Sequence, residues 1–208
     1  MNNSKKGKFF VFEGIDGCGK STQAKKLKAW FENNKKTVFT TFEPTYGQTG
    51  TLLHQILSGE KKADPSVIAA LFAADRLEHI THPEEGLKCR IEKGENVICD
   101  RYYFSSLAYQ GSELDDAWIY ALNSKAKQIL KPDITIFLDI SPQTAVERIK
   151  KGRDSFEIYE NIEKLTAVRE KYMDLFLRYG KDENIFITNG DRDAEEIFED
   201  ILKSLENI

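Results

Sequence analysis

Residues 9–21 read FFVFEGIDGCGKS, and this stretch decides the fold of the chain. Four apolar residues at its start predict a buried strand, and Ala24, Leu27 and Phe31 recur after it at helical spacing. Between them, residues 14–21 follow the pattern G-x-x-x-x-G-K-S. Glycines in such a loop allow positive φ angles, so that backbone N–H groups and the start of the next helix face phosphate oxygens. The stretch therefore predicts a strand, a phosphate-binding loop and a helix in succession.

We predict that this loop binds the phosphates of a nucleoside triphosphate. Lys20 would reach the β- and γ-phosphates, and Ser21 would give its hydroxyl group to Mg²⁺. The bare pattern can arise by chance in an unrelated loop, but the flanking strand and helix favour nucleotide binding. The predicted phosphate-binding residues are Gly14, Ile15, Asp16, Gly17, Cys18, Gly19, Lys20, Ser21 and Thr22.

Cys18 lies within this loop, close to the start of a helix. A thiol in that environment is expected to have a lowered pKa, because the helix start favours the thiolate. We therefore expect Cys18 to be alkylated readily and ATP to protect it.

The composition excludes several classes of protein. No Pro/Gly/Ser-rich linker divides the 208 residues, so we expect a single domain over residues 1–208. A net charge of −4, with acidic and basic residues interspersed, argues against sustained nucleic-acid binding. Three cysteines, no signal-like segment and no apolar run of about 18 residues favour a cytoplasmic protein without a membrane partner.

Strand-like and helical patterns alternate along the chain. We expect strands at residues 8–13, 37–42, 96–99, 134–140 and 185–188, and a first helix at about 20–33. Strands that are apolar on both faces are typical of a parallel sheet between helices. The predicted fold is an α/β three-layer sandwich, with a central parallel sheet of about five strands and helices on both faces. Ligands in such folds bind at the carboxyl ends of the strands, where the loop, Glu43-Pro44 and Asp100-Arg101 fall.

Residues 98–110 read ICDRYYFSSLAYQ and resemble the signature of thymidylate kinases. Residues 12–16 (FEGID), residues 71–76 (LFAADR) and Pro132-Asp133 resemble the same family in the same order, over nearly the full chain. The resemblance implies a P-loop NTPase-type fold. It also implies transfer of the γ-phosphoryl group of ATP to dTMP, giving dTDP and ADP, with Mg²⁺ as cofactor. The family further suggests a homodimer.

The residues of the middle segment fit the binding of dTMP. Phe72 and Arg76 are four residues apart and share a helix face, so the ring can stack on a base while the guanidinium reaches the 5′-phosphate. Arg101, at a strand end, can grip the same phosphate. Taken singly, Phe72 could be a core residue and Arg76 a solvated surface group. Their joint fit to one signature favours dTMP.

Ser106, Tyr109 and Gln110 follow a helical spacing of i, i+3 and i+4 and can line one wall of the base and sugar pocket. By the resemblance, Ser106 faces the thymine edge and Tyr109 crowds the 2′ side of the sugar. The resemblance also implies that Asp16 contacts the sugar hydroxyl of the acceptor and that Asp100 lies near Mg²⁺. Alternatively, Asp100 and Arg101 form a structural ion pair and Tyr109 is a packed aromatic residue.

A basic segment at about residues 148–160 is predicted to be a lid over ATP. Some thymidylate kinases carry an arginine in the phosphate loop, where this chain has Gly17, so the lid should supply that positive charge. Arg153 is the first choice and Arg148 the reserve, and a solvated basic helix end is the alternative. The predicted catalytic residues are Lys20, Arg101, Arg153 and Asp16.

Two other functions stay open. A deoxynucleoside kinase acting on thymidine would leave Arg76 and Arg101 without a phosphate partner, and a GTPase-like switch would need an Asn-Lys-x-Asp motif that the chain lacks. A non-catalytic ATP-binding switch is a further alternative. The histidines receive no role, since His79 and His82 are expected to be a surface pair rather than metal ligands. Residues 189–191, which follow the last predicted strand, are assigned to adenine contacts from their position alone.

Overall fold

The computed structural model describes residues 6–152, 161–206 and 208. One sheet contains the strands β1 (Phe9–Glu13), β2 (Val38–Phe42), β3 (Asn96–Asp100), β4 (Ile134–Asp139) and β5 (Ile185–Asn189). Their spatial order is β2-β3-β1-β4-β5, and each neighbouring pair is parallel. This sheet confirms the predicted parallel α/β fold.

Helices surround the sheet. In the described residues they are α1 (Lys20–Asn33), α2 (Gln48–Leu57), α3 (Pro65–Thr81), α4 (Leu87–Glu92), α5 (Tyr103–Tyr109), α6 (Asp116–Ile129), α7 (Pro142–Gly152), α8 (Ile162–Tyr179) and α9 (Ala194–Leu205). Several begin at polar caps that accept a backbone N–H group, namely Asp64, Asp115, Asn161 and Asp193. None of these helices is long and apolar enough to span a membrane.

The position of each strand in the sheet follows from its sequence. The central strands β1, β3 and β4 are buried almost throughout, whereas the edge strands β2 and β5 are partly exposed. Runs that are apolar on both faces suit the middle of a parallel sheet, because helices cover both of its sides. Phe9, Val97, Ile136 and Tyr172 belong to the resulting core.

The sheet topology brings the predicted site residues to one edge. The chain adds β2 and β3 on one side of β1 and then crosses to add β4 and β5 on the other. Such a change of direction leaves a crevice at the carboxyl end of the central strand. Residues 14–19 follow β1, Glu43 follows β2, and Asp100 ends β3 opposite Phe12. The crevice therefore lies where the sequence places the candidate ligands.

Candidate active site

The phosphate-binding loop turns through three glycines with positive φ angles, of 144° at Gly14, 78° at Gly17 and 100° at Gly19. Gly19 is also the N-cap of α1. Lys20 is buried, and its Nζ donates hydrogen bonds to the carbonyl oxygens of Gly14 at 3.0 Å and Ile15 at 3.1 Å. The ammonium group is thus held over the loop, at the start of a helix whose free N–H groups attract anions.

Ser21 and Asp100 meet where the first turn of α1 faces the end of β3. The Ser21 hydroxyl donates to Asp100 Oδ2 at 2.7 Å. Asp100 Oδ1 is buried and has no hydrogen-bond partner among the described residues. Mg²⁺ in nucleotide sites binds hard oxygen ligands, such as a hydroxyl group and a carboxylate oxygen that has no other partner. The residues at this position therefore fit the predicted Mg²⁺.

Arg101, Asp16 and Tyr109 form a polar cluster above the loop. The Arg101 Nη2 donates to Asp16 Oδ1 and, at 3.2 Å, to the Tyr109 hydroxyl, which in turn donates to Asp16 Oδ2 at 3.0 Å. Burial alone would raise the pKa of Asp16, but the charges of Arg101 and Lys20 and the bonds from Tyr109 and Arg101 lower it. Asp16 is therefore ionised and Arg101 charged at neutral pH.

Glu13 binds residues that hold this cluster in place, and the sequence had given it no role. It is fully buried, and its Oε1 accepts from the backbone N–H groups of Tyr102 at 2.9 Å and Ser105 at 3.2 Å. Its Oε2 accepts from the Ser105 hydroxyl at 2.6 Å and the Tyr172 hydroxyl at 2.8 Å. Burial raises the pKa of this carboxyl group against those hydrogen bonds. The Ser105 hydroxyl also accepts from Arg101 Nη1 at 3.0 Å. Glu13 therefore holds in place the hydroxyl group that binds Arg101.

Arg76 belongs to a different network from Arg101. Its side chain is about 1% exposed, and its Nε donates to Glu43 Oε2 at 2.7 Å. Its Nη1 donates to Ser106 Oγ at 3.0 Å and to Asn123 Oδ1, and its Nη2 donates to the Tyr102 carbonyl at 3.1 Å. The two arginines that were expected to share one phosphate therefore belong to separate hydrogen-bond networks.

Two further predicted acceptor residues, Phe72 and Gln110, have other surroundings. Phe72 is partly buried against a small cluster of Leu53, Ile56 and Ile68. Gln110 is 5% exposed, and its Oε1 is buried without a hydrogen-bond partner in the described part of the chain. A buried acceptor without a partner is costly unless a ligand supplies the donor.

One cavity of about 1370 Å³ runs along the phosphate-binding loop. It extends from Arg148, Arg192 and Ile197 on one side to Phe42 and Glu43 on the other, past Asp100 and Arg101. Its volume exceeds that of an ordinary small-molecule pocket. Of the predicted acceptor residues, Asp16 and Arg101 line it.

The family model for thymidylate kinase matches residues 12–201. The chain belongs to the thymidylate kinase family. It is 39% identical over 201 residues to a probable thymidylate kinase of Methanocaldococcus jannaschii, covering 96% of each chain. It is 41% identical to one of Methanococcus aeolicus and 38% identical to one of Pyrococcus horikoshii, with 95% of each chain covered in both cases. These matches confirm the family that the signature over residues 98–110 indicated.

The lid arginine of this thymidylate kinase family member stays a prediction. Arg153 lies outside the described residues, as does most of the expected lid. Arg148, the reserve, is on α7, and its Nη2 donates to the Gly190 carbonyl at 3.1 Å. That contact holds Arg148 near the end of β5, at the side of the cavity where Arg192 also lies.

The expected lowering of the Cys18 pKa is wrong. Its side chain is about 1% exposed and faces the inside of the loop, where a Cβ on Gly14 would come within 2.7 Å of its Sγ. Burial raises the pKa of the thiol, which outweighs the nearby charges of Lys20 and Arg101. The start of α1 was expected to favour the thiolate of Cys18. Because water does not reach this thiol, burial disfavours its charged form more strongly.

The expectation that His79 and His82 form a surface pair is also wrong for His79. Its side chain is only 10% exposed, and its Nδ1 lies 3.0 Å from Glu43 Oε1. The available signal was its position three residues after Arg76, which puts both on one face of α3. His82 is exposed, as expected.

Proposed function

We propose that this chain transfers the γ-phosphoryl group of ATP to the 5′-phosphate of dTMP, giving dTDP and ADP. The observation that carries the proposal is one cavity lined by both the phosphate-binding loop and Arg101. A donor triphosphate on the loop and an acceptor phosphate on Arg101 would meet there. Family membership supports the same reaction, since the relatives are named probable thymidylate kinases.

The donor end would bind ATP through residues 14–22. Backbone N–H groups of the loop and the Lys20 ammonium would hold the β- and γ-phosphates, as the buried position of Lys20 over the loop supports. Ser21 and Asp100 would hold Mg²⁺, which, when bound, neutralises negative charge on the phosphates. The protein's own contribution is positioning and charge, because phosphoryl transfer needs little covalent chemistry from side chains.

The acceptor phosphate is assigned to Arg101 and the acceptor sugar to Asp16 and Tyr109. Asp16 orients Arg101 through an ion pair, so the guanidinium is aimed before dTMP binds. The Tyr109 ring lies against the guanidinium of Arg101, with 4.8 Å from Cζ to the ring centroid. This packing supports a wall beside the sugar, where Tyr109 would crowd a 2′-hydroxyl group.

Arg76 is reassigned from the phosphate to the base. Its Nη1 bonds to Ser106, the residue proposed to face the thymine edge, and its Nε is held by Glu43. Gln110 offers a buried oxygen that needs a donor, and the N3–H group of thymine is one. Phe72 is proposed to stack on the ring. These four side chains, Arg76, Ser106, Gln110 and Phe72, would recognise the base while Arg101 binds the phosphate.

Arg153 is proposed to place its charge on the transferred phosphoryl group, with Arg148 as the reserve. The bond from Arg148 to Gly190 supports a place for Arg148 near the adenine end of the cavity instead. We expect Arg153→Ala to lower kcat more than it raises the KM for dTMP. A larger effect on KM would move Arg153 to the acceptor site.

A coupled ADP-release assay with ATP and Mg²⁺ tests the reaction. dTMP, dUMP, ribothymidine monophosphate, dCMP, AMP and thymidine are offered side by side, and turnover should concentrate on dTMP. Lys20→Ala should lower kcat by about 10²- to 10³-fold, because the loop loses its only positive side chain at the γ-phosphate. Lys62→Ala, an exposed lysine before α3, is the matched control. Turnover of thymidine without dTMP, or of no acceptor, contradicts the proposal.

We further propose a cytoplasmic homodimer. Trp118 on α6 and Ile162, Met173 and Leu177 on α8 are exposed apolar side chains, and Leu177 is 85% exposed. The three free cysteines are compatible with a reducing compartment. Sedimentation equilibrium tests the dimer, and a monomer at all concentrations would contradict it.

A further inference from the structure

Five side chains form a continuous chain of contacts from β2 to the proposed base pocket. Thr41 Oγ1 lies 2.8 Å from His79 Nε2, and His79 Nδ1 lies 3.0 Å from Glu43 Oε1. The other oxygen of Glu43 accepts from Arg76 Nε at 2.7 Å, and Arg76 Nη1 reaches Ser106 at 3.0 Å. Each oxygen of the Glu43 carboxylate therefore has one partner, His79 on Oε1 and Arg76 on Oε2.

The burial of these groups makes their arrangement rigid. The side chains of Arg76 and Glu43 are 1% and 2% exposed, and that of His79 is 10% exposed. In a poorly solvated site an ion pair keeps one geometry only if its remaining lone pairs are also bonded. A neutral His79 satisfies both contacts when Nδ1–H donates to Glu43 and Nε2 accepts from the Thr41 hydroxyl.

We infer that His79 is a positioning residue for base recognition, acting through Glu43 on Arg76. Without the donor at Nδ1, the Glu43 carboxylate can rotate and Arg76 Nε loses its fixed partner. Asn123 and the Tyr102 carbonyl, which bind the other two nitrogens, then hold the guanidinium less firmly toward Ser106. The inference rests on the proposed assignment of Arg76 and Ser106 to the thymine base. It predicts a defect in dTMP binding with little effect on phosphoryl transfer, because Lys20 and Arg101 belong to other networks.

A metal site is the competing interpretation of these residues. One ligand atom each from Glu43, His79 and Cys99 lies within 4.8 Å of the others. However, burial and the neighbouring Glu43 raise the pKa of the Cys99 thiol well above its usual range, and the thiol donates to the Arg101 carbonyl at 3.1 Å. A metal ion would also compete with Arg76 for Glu43. The hydrogen-bonded arrangement accounts for all the contacts without an ion.

Two substitutions of His79 separate its two contacts. The amide nitrogen of asparagine overlaps the Nδ1 position, so His79→Asn keeps a donor for Glu43 and loses Thr41. Glutamine reaches the Nε2 position instead, so His79→Gln keeps Thr41 and loses Glu43. The measurements are kcat, KM for dTMP and for ATP, calorimetric Kd for dTMP without ATP, and Tm.

We expect His79→Gln to raise the KM and the Kd for dTMP about tenfold, with kcat and the KM for ATP within about twofold. His79→Asn should stay within about threefold of the wild type in each constant. Lower Tm values with unchanged dTMP affinity in both variants would overturn the inference, as would stoichiometric Zn²⁺ binding that His79→Gln abolishes. A wild-type protein that does not phosphorylate dTMP would refute the proposed function itself. An active wild type with a His79→Gln variant of equal dTMP affinity would refute only the role of His79.

Discussion

Arg101 shows how a single residue is made ready for an anion. It has a φ of 74°, in the left-handed region that costs a non-glycine residue of the order of 1 kcal/mol. The strained turn is held by the bond from its backbone N–H to the Phe12 carbonyl at 2.8 Å. Its side chain is then fixed by Asp16, Ser105 and Tyr109. Preorganisation of this kind lowers the cost of binding a phosphate, because the guanidinium is ordered beforehand.

Cys18 provides a prediction for the residue scale. Burial raises the pKa of its thiol, so a smaller fraction is thiolate at a given pH and reagents do not reach it. Cys99 is buried in the same way, whereas Cys89 is partly exposed. With iodoacetamide at about pH 8, we expect Cys89 to be alkylated at least tenfold faster than Cys18. Peptide mass spectrometry over time measures both rates.

The control for this labelling is the protein in urea, where all three cysteines should react at similar rates. Labelling of native Cys18 as fast as that of Cys89 would mean that the loop opens in solution. If native Cys18 were alkylated as fast as Cys89 and ATP slowed that alkylation, the original expectation of a reactive, ATP-protected thiol would hold.

Helix α7 is packed directly against the phosphate-binding loop. A Cβ at Gly17 would lie 2.5 Å from the Ala145 carbonyl oxygen and 3.0 Å from a side-chain atom of Ile149. The loop position where some family members carry an arginine therefore has no room for a side chain here. Because α7 ends at Gly152, the position of the loop and the start of the expected lid are linked.

Gly17→Ala tests this contact between loop and helix. The positive φ costs about 1 kcal/mol of stability, and the clash with Ala145 should displace α7 and lower kcat by at least about tenfold. Gly59→Ala is a matched control, because Gly59 has a φ of 82° but a Cβ added there would have no heavy atom beyond its chain neighbours within 4 Å. It should lose similar stability and keep full activity. Steady-state kinetics and Tm measure both, and equal kinetics for the two variants would show that α7 can move without consequence.

Local sequence patterns predicted most helices and strands, but they did not predict contacts between residues that are far apart in the sequence. The first helix was expected at about 20–33 and runs from Lys20 to Asn33, because the loop glycines and the apolar spacing mark it directly. Glu43 and His79 are 36 residues apart, and nothing local in β2 or α3 shows that they meet. The same limit explains the error at Cys18, since the sequence shows the nearby helix start but not the burial that raises the pKa.

The whole molecule is held together across long stretches of sequence. Asp116 on α6 lies 2.7 Å from Lys171 Nζ and 2.6 Å from Arg178 Nη2, both on α8. Tyr120 and Tyr179 stack beside this ion pair, with ring centroids 4.5 Å apart. Contacts between segments more than 50 residues apart favour cooperative unfolding of the chain, in line with the proposed single domain over residues 1–208.

Asp116 gives the stability of the molecule a defined dependence on pH. Burial alone would raise its pKa, but the bonds from Lys171 and Arg178 lower it below its ordinary value of 3.8. A carboxyl group whose pKa is lower in the folded state contributes stability above the unfolded value and loses it as pH falls through the folded value. We expect Asp116→Asn to lower the free energy of unfolding by about 1 kcal/mol at pH 7. Below about pH 3.8 this difference should shrink, and it should vanish once the pH falls below the folded pKa, where the wild-type carboxyl is protonated too.

Urea unfolding at pH 7 and at about pH 3 measures the effect, followed by both circular dichroism and tryptophan fluorescence. Asp174→Asn is the control, since Asp174 is exposed and pairs with Arg178 only within α8. It should cost no more than about 0.5 kcal/mol at pH 7, because it ties no two elements together. A difference for Asp116→Asn that stays constant with pH would assign its effect to packing rather than charge. Two transitions at different urea concentrations would show that residues 1–208 do not unfold as one domain.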